Sequence, residues 1–128
     1  GFLIQGGGFD SSYNIKRTYP PIRNESSETS LKNKRGTVGM ALTTNPNSAT
    51  TQFYINAADN PLQDYNKKRK HGFTVFADII DGMKTVDKIK KVRTRRITVY
   101  SELYKREVLL HDAPQRDIII KTATVLRD

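Results

Sequence analysis

A chain of 128 residues with 36% hydrophobic content has the length of one domain and enough apolar side chains for one core. It has no apolar run near the ~20 residues that a membrane-spanning helix needs, and the absence of cysteine excludes disulfides, thiolate nucleophiles and cysteine zinc sites while leaving cytoplasm and periplasm equally open. A formal charge of +9 would attract polyanions without regard to sequence, but the aromatic residues fall in strand-like runs rather than among the charges, so the charge reads first as solubility.

The first residues, GFLIQGGGF, predict a short apolar strand that exits through three glycines. A phosphate loop is the weaker reading, because no helical pattern and no Lys-Ser/Thr pair follows. Glycine's tolerance of positive φ in a tight strand exit is the stronger one. Residues 10–30 are polar, with Tyr19-Pro20-Pro21-Ile22 as an extended brace. Asn24-Glu25-Ser26 fits a glycosylation acceptor, a pattern so short that it recurs by chance.

The central stretch, GTVGMALTTNPNSATTQFYIN, predicts a small-residue strand over residues 37–42, a polar loop, and an aromatic strand over residues 52–56. Strand side chains alternate between faces. Phe53 and Ile55 therefore share one side, read as core, while Gln52, Tyr54 and Asn56 share the other, read as a working surface. Thr37, Gly39 and Ala41 are small enough for something to approach the backbone closely. Two ordinary strands of an antiparallel sheet would satisfy the pattern equally well.

Lys67, Lys68, Arg69 and Lys70 form a basic, solvated loop. A strand is expected over residues 73–80, ending at Asp81-Gly82. Met83, Val86, Ile89 and Val92 then recur at helical spacing, with Lys84, Lys88 and Lys91 outward. Residues 93–114 hold too many apolar side chains for a loose loop and predict an added hairpin or a segment packed on the body. DIIIKTATVL, residues 117–126, reads as a closing strand. His71 and His111 form no metal-ligand pattern with carboxylates, and His111-Asp112 with Ser101 lacks the nucleophile-elbow sequence that a hydrolase triad would need.

Four blocks in this order, GFLIQGGGF, RGTVGMA, NSATTQFYIN and GFTVFADIIDGM, closely resemble the cyclophilin family of peptidyl-prolyl isomerases, especially its bacterial members. The resemblance implies a mainly β, antiparallel cyclophilin-like barrel with capping helices, as one domain over residues 1–128 in which residues 93–114 are an atypical insertion. It covers the later part of the family's domain. The family's earlier strands, first helix and catalytic arginine precede the position that is Gly1 here, and Arg23 and Arg35 stand in the wrong motif context to replace that arginine.

The implied activity is rotation of X-Pro bonds in peptides and unfolded proteins. The barrier comes from amide resonance, so the resemblance implies no cofactor and no metal; the catalyst grips the proline ring and favours the twisted amide. By the same resemblance, Phe2 and Leu3 line the proline pocket, Gln5 supports the catalytic arginine, and Ala41 and Leu42 belong to the strand whose backbone holds the peptide. Gln52 and Tyr54 follow on the next strand, Leu62 is a pocket leucine and Phe73 an aromatic wall. Tyr54 stands where the family usually has phenylalanine, which implies a more polar pocket rim. Two other readings are carried: a proline-peptide binding module of impaired catalysis, and a basic nucleic-acid binder, which predicts steep salt dependence. An upstream segment or a second chain is expected to complete the barrel, since unpaired strand edges otherwise invite aggregation.

Overall fold

The computed structural model describes residues 1–127. β1 (Leu3–Gly6), β2 (Thr37–Met40), β3 (Phe53–Asn56) and β4 (Val75–Asp78) form one sheet in the order β1-β3-β2-β4. Every ladder in it is antiparallel. Between β3 and β4, residues Pro61–Gln63 make a 3-10 turn. After β4 come α1 (Met83–Lys90), β5 (Thr94–Ser101) and β6 (Arg106–Pro114).

The expected mainly β, antiparallel architecture is thus present, with each central strand shorter at its ends than its pattern suggested. The ladders make an open four-stranded sheet and a separate two-stranded hairpin, β5-β6; they do not themselves close a barrel. Helix α1 is the one α-helix among the described residues. It starts from Gly82 at φ 94°, a left-handed conformation that glycine adopts without cost. Val86 is its buried residue, Lys88 and Lys90 lie in its last turn, where they complement the helix dipole, and it packs against β1.

Residues 93–114 become the hairpin, with Ile97 opposite Leu110 and Val99 opposite Val108 on one face. Residues 117–126 depart from expectation. They carry no ladder and no regular element, and Ile118, Ile119, Ile120, Val125 and Leu126 are exposed. The physical reason is the absence of a partner: a strand is stabilised by its neighbour, and a β-prone composition alone does not supply one. Tyr13 Oη tethers the start of this segment by donating to Asp117 Oδ1 at 2.8 Å.

Candidate functional site

The sheet register places Leu3, Gln5, Gly39, Tyr54 and Asn56 on one face, because Leu3 pairs with Asn56, Gln5 with Tyr54 and Gly39 with Tyr54. Just past the ladder, Ala41 N–H donates to the Gln52 carbonyl at 3.0 Å, which adds Ala41 and Gln52 to that face. Gln5 Nε2 donates to Gln52 Oε1 at 2.8 Å. Gly8 makes room for this pair: a Cβ there would fall 2.6 Å from Gln52 Cδ. The glycine exit from β1 bends through Gly7 at φ 89°, with the Thr51 carbonyl against its Cα, as the sequence led one to expect.

The other half of the site is built around Tyr54. Its ring meets that of Phe73 edge to face at 6.0 Å and 76°. Phe73 N–H donates to the Gln63 carbonyl at 2.8 Å, so the turn that carries Leu62 adjoins the aromatic pair. Leu62 itself is 82% exposed. At the strand entry, the Phe2 carbonyl accepts from Ala57 and Ala58 N–H at 2.8 and 3.2 Å, and the Phe2 side chain is exposed.

The burial of the two faces reverses the sequence reading. Tyr54 and Asn56 are 1% and 0% exposed, the most buried side chains of β3, while Phe53 and Ile55 are only half-buried. The Tyr54 hydroxyl is not at a pocket rim: it donates inward to Asn33 Oδ1 at 2.6 Å. Burial, followed by the nearby charge of Asp64, pushes its phenol well above the ordinary value. The close approach that Gly39 permits is that of the Tyr54 ring itself. Leu42 is not brought to this face by its side chain, which lines a cavity of about 230 Å³ with Ile22, Met40, Ala49 and Phe76.

A buried polar cluster lies beneath the site. Asn56 Nδ2 donates to Thr37 Oγ1 at 2.9 Å and to Asn33 Oδ1 at 3.1 Å, and Asn33 in turn donates to Asp64. Among the described residues no group of three or more His, Cys, Asp and Glu side chains is placed to hold a metal ion, and no helix is long and apolar enough to cross a membrane.

The family model for cyclophilin type peptidyl-prolyl cis-trans isomerase/CLD matches residues 1–125. The chain belongs to this family. Among its cyclophilin relatives, peptidyl-prolyl cis-trans isomerase B of Escherichia coli (strain K12) is 43% identical over 127 residues, covering 98% of this chain and 71% of the relative. Peptidyl-prolyl cis-trans isomerase A of Dickeya dadantii (strain 3937) is 39% identical, covering 99% of this chain and 60% of the relative. A peptidyl-prolyl cis-trans isomerase of Acinetobacter baylyi is 45% identical over 107 residues, covering 84% and 56%. The chain therefore spans between somewhat over half and somewhat over two thirds of the length of these relatives. Their shared name is that of an isomerase enzyme acting on X-Pro bonds, and cyclophilin enzymes act on proline-containing peptides and proteins.

Set in a cyclophilin frame, the site has two residues that sequence reasoning passed over. Gly8 was visible only as one of three glycines, and nothing in its neighbourhood announces that it faces Gln52. Asn33 sits in a polar run, LKNKRG, whose composition gives no sign of burial. The acceptor pattern Asn24-Glu25-Ser26 is occupied structurally: Asn24 Nδ2 donates to the carbonyls of Gly72 and Pro46, at 2.9 and 3.3 Å, and Ser26 is buried.

Proposed function

We propose that this chain carries the proline-binding part of a peptidyl-prolyl cis-trans isomerase, as one domain in which residues 93–114 are an accessory insertion. Gln5 and Gln52 present amides to the peptide flanking the proline. The Ala41 and Leu42 backbone offers it an extended rail, and Phe2, Leu3, Leu62 and Phe73 enclose the ring, with Tyr54 as the buried floor beneath them. The observation that carries this reading is the Gln5–Gln52 bond, which joins β1 to the residue preceding β3 on the face that Phe73 and the Leu62 turn adjoin. Amide and apolar groups suffice for such a grip, because the reaction breaks no covalent bond.

A second reading, a groove that binds without efficient turnover, is favoured by the arginines. Arg35 is clamped on Asp87 by two bonds of 2.9 and 2.8 Å and on the Ala57 carbonyl at 2.7 Å. Arg23 is paired with Glu28 and Glu25. Neither is free to stabilise a twisted prolyl amide beside Gln5. The exposed Ile118, Ile119, Ile120, Val125 and Leu126 together with the β1 margin of the sheet support pairing with a further strand.

The test is NMR exchange between the cis and trans forms of an Ala-Pro peptide, with protein whose N-terminus is fixed by intact mass. Rapid exchange that Gln52→Ala abolishes supports the isomerase. Peptide shift changes without exchange support the binding module. Absence of both sinks the groove, and binding that instead weakens steeply with salt points to a polyanion partner.

A further inference from the structure

The turn Pro61–Gln63 has no buried residue and no side-chain cap, and Leu62 projects from it into solvent. Packing of its own side chain therefore does not locate Leu62; its backbone must be held by something else. Beside the Phe73 N–H bond to the Gln63 carbonyl at 2.8 Å, that something is largely one residue, through its backbone and its side chain together. The Asn33 carbonyl accepts from Asn60 N–H at 2.7 Å, on one side of the turn. Its backbone N–H and its Nδ2 donate to Asp64 Oδ1 at 2.7 and 3.1 Å, on the other. Nδ2 also reaches the Phe73 carbonyl at 3.4 Å. From beneath, Asn33 Oδ1 accepts from Tyr54 Oη and Asn56 Nδ2.

The residue is 2% exposed, and its bonds to Tyr54 and Asn56 are made out of reach of competing water, while those to Asp64 and Phe73 are part-buried. Only a side-chain amide suits the position, because acceptors (Asp64, Phe73) face its nitrogen and donors (Tyr54, Asn56) face its oxygen. The turn's own bonds are weaker: Gln63 N–H to the Asn60 carbonyl at 3.1 Å and Asp64 N–H to the Pro61 carbonyl at 3.2 Å. Arg69 adds bonds to the Leu62 and Asp64 carbonyls, but from an exposed position.

We infer that Asn33 is a positioning residue: it ties the Leu62 turn to the Tyr54 strand and so sets the width of the groove in which the proline ring is held. This rests on the groove proposed above. It predicts a role in binding and not in the twisting step, because Asn33 touches the wall of the pocket and none of the amides offered to the peptide.

Three variants test it: Asn33→Asp, which sets a carboxylate against Asp64; Asp64→Ala, which removes both Asn33 bonds to the Asp64 carboxylate while leaving the Tyr54–Asn33–Asn56 cluster whole; and Asn33→Asp combined with Asp64→Asn, which relieves the apposition of two carboxylates. Amide hydrogen exchange at Gln63 and Asp64 is read without peptide, and KM and kcat are read from Ala-Pro exchange. The first two variants are expected to speed turn exchange and to raise KM about tenfold at unchanged kcat, the free-energy range of a lost buried polar partner, and the paired variant is expected to recover part of both by removing the repulsion. Should Asn33→Asp not fold, Asp64→Ala carries the same readouts. A fall in melting temperature with turn exchange and KM unmoved would overturn the inference, as would failure of the paired variant to recover them. If the wild-type chain does not engage the peptide, the groove reading fails by itself; turn exchange in Asp64→Ala then still decides whether Asn33 holds the turn, unchanged protection overturning it.

Discussion

Replacing Gly39 by alanine sets two effects of opposite sign against each other. Gly39 lies in β2 with no positive φ, and in such a strand alanine is ordinarily favoured over glycine by about 0.5–1 kcal/mol, since glycine loses more backbone entropy on folding. Against this, a Cβ at Gly39 would run into Oη, Cζ and Cε1 of Tyr54. That ring cannot easily retreat, because its hydroxyl is bonded to Asn33 and its edge meets Phe73. Overpacking of a well-packed site costs about 1–3 kcal/mol, and three atoms of a pinned ring place Gly39→Ala at the upper end. The net expectation is a destabilisation of about 2 kcal/mol, roughly a thirtyfold shift towards the unfolded state. Urea unfolding, read by tyrosine fluorescence and by circular dichroism, measures it. The cause is isolated by a cycle with Tyr54→Leu, in which the alanine should regain more than about 1 kcal/mol of its cost. Gly39→Ala as stable as the parent, or equally costly in both backgrounds, would refute the steric account.

The remaining expectations concern charge and the insertion. Burial raises the Tyr54 phenol, so the folded state holds that proton more tightly than the unfolded one; this contribution is complete below the ordinary phenol value near ~10 and is lost as pH rises above it. The urea midpoint of the parent should therefore fall more steeply above pH ~10 than that of Tyr54→Phe, and parallel slopes would sink the claim. The bond from Arg35, then its charge and those of Lys90 and Lys91, hold the Asp87 carboxyl below its ordinary value against the opposing effect of desolvation. Its contribution is present above the unfolded carboxylate value near ~3.9 and is lost as pH falls through the folded one; Asp87→Asn should flatten that part of the acid limb, and NMR titration of Asp87 checks the direction. Substituting residues 97–110 by an Asn-Gly turn should leave the amide protection of β1–β4 unchanged, because β5 and β6 pair with each other and with no other strand; a loss of protection there would make the hairpin part of the core.

Much of the fold was legible because it is locally encoded. Period-two alternation marked β2 and β3, the Asp81-Gly82 turn marked the end of β4, the Met83–Val86–Ile89 spacing marked α1, and the apolar content of residues 93–114 marked either a hairpin or a segment packed on the body. What failed was the closing strand at residues 117–126. Its run of apolar and β-branched residues reads as strand, yet no ladder forms, since pairing depends on a neighbour that local pattern does not reveal. The motif blocks named Gln5, Ala41, Gln52, Tyr54 and Phe73 by family position without stating their contacts; the sheet register puts the first three on one face and the Tyr54 ring edge to face with Phe73.

The reversal at β3 shows where sequence reading stops. Alternation states which side chains share a face and leaves open which face other parts of the chain will cover. Phe53 and Ile55 looked like core because they are apolar, and Gln52, Tyr54 and Asn56 looked like surface because they are polar. The covering is decided by distant segments: Asn33 comes over the Tyr54 face from before β2 and Phe73 from after the turn, and together they close it with hydrogen bonds that three polar side chains, Tyr54, Asn56 and Thr37, are suited to make. Polar residues therefore suit that interior, where they give one another partners, with Asn56 Oδ1 left without one. Gln5 and Gln52, at the open end of the same face, have no such cover, and Gln5 is exposed. One face is thus buried at one end and open at the other, and the step between them falls at Tyr54, whose hydroxyl is spent on holding Asn33.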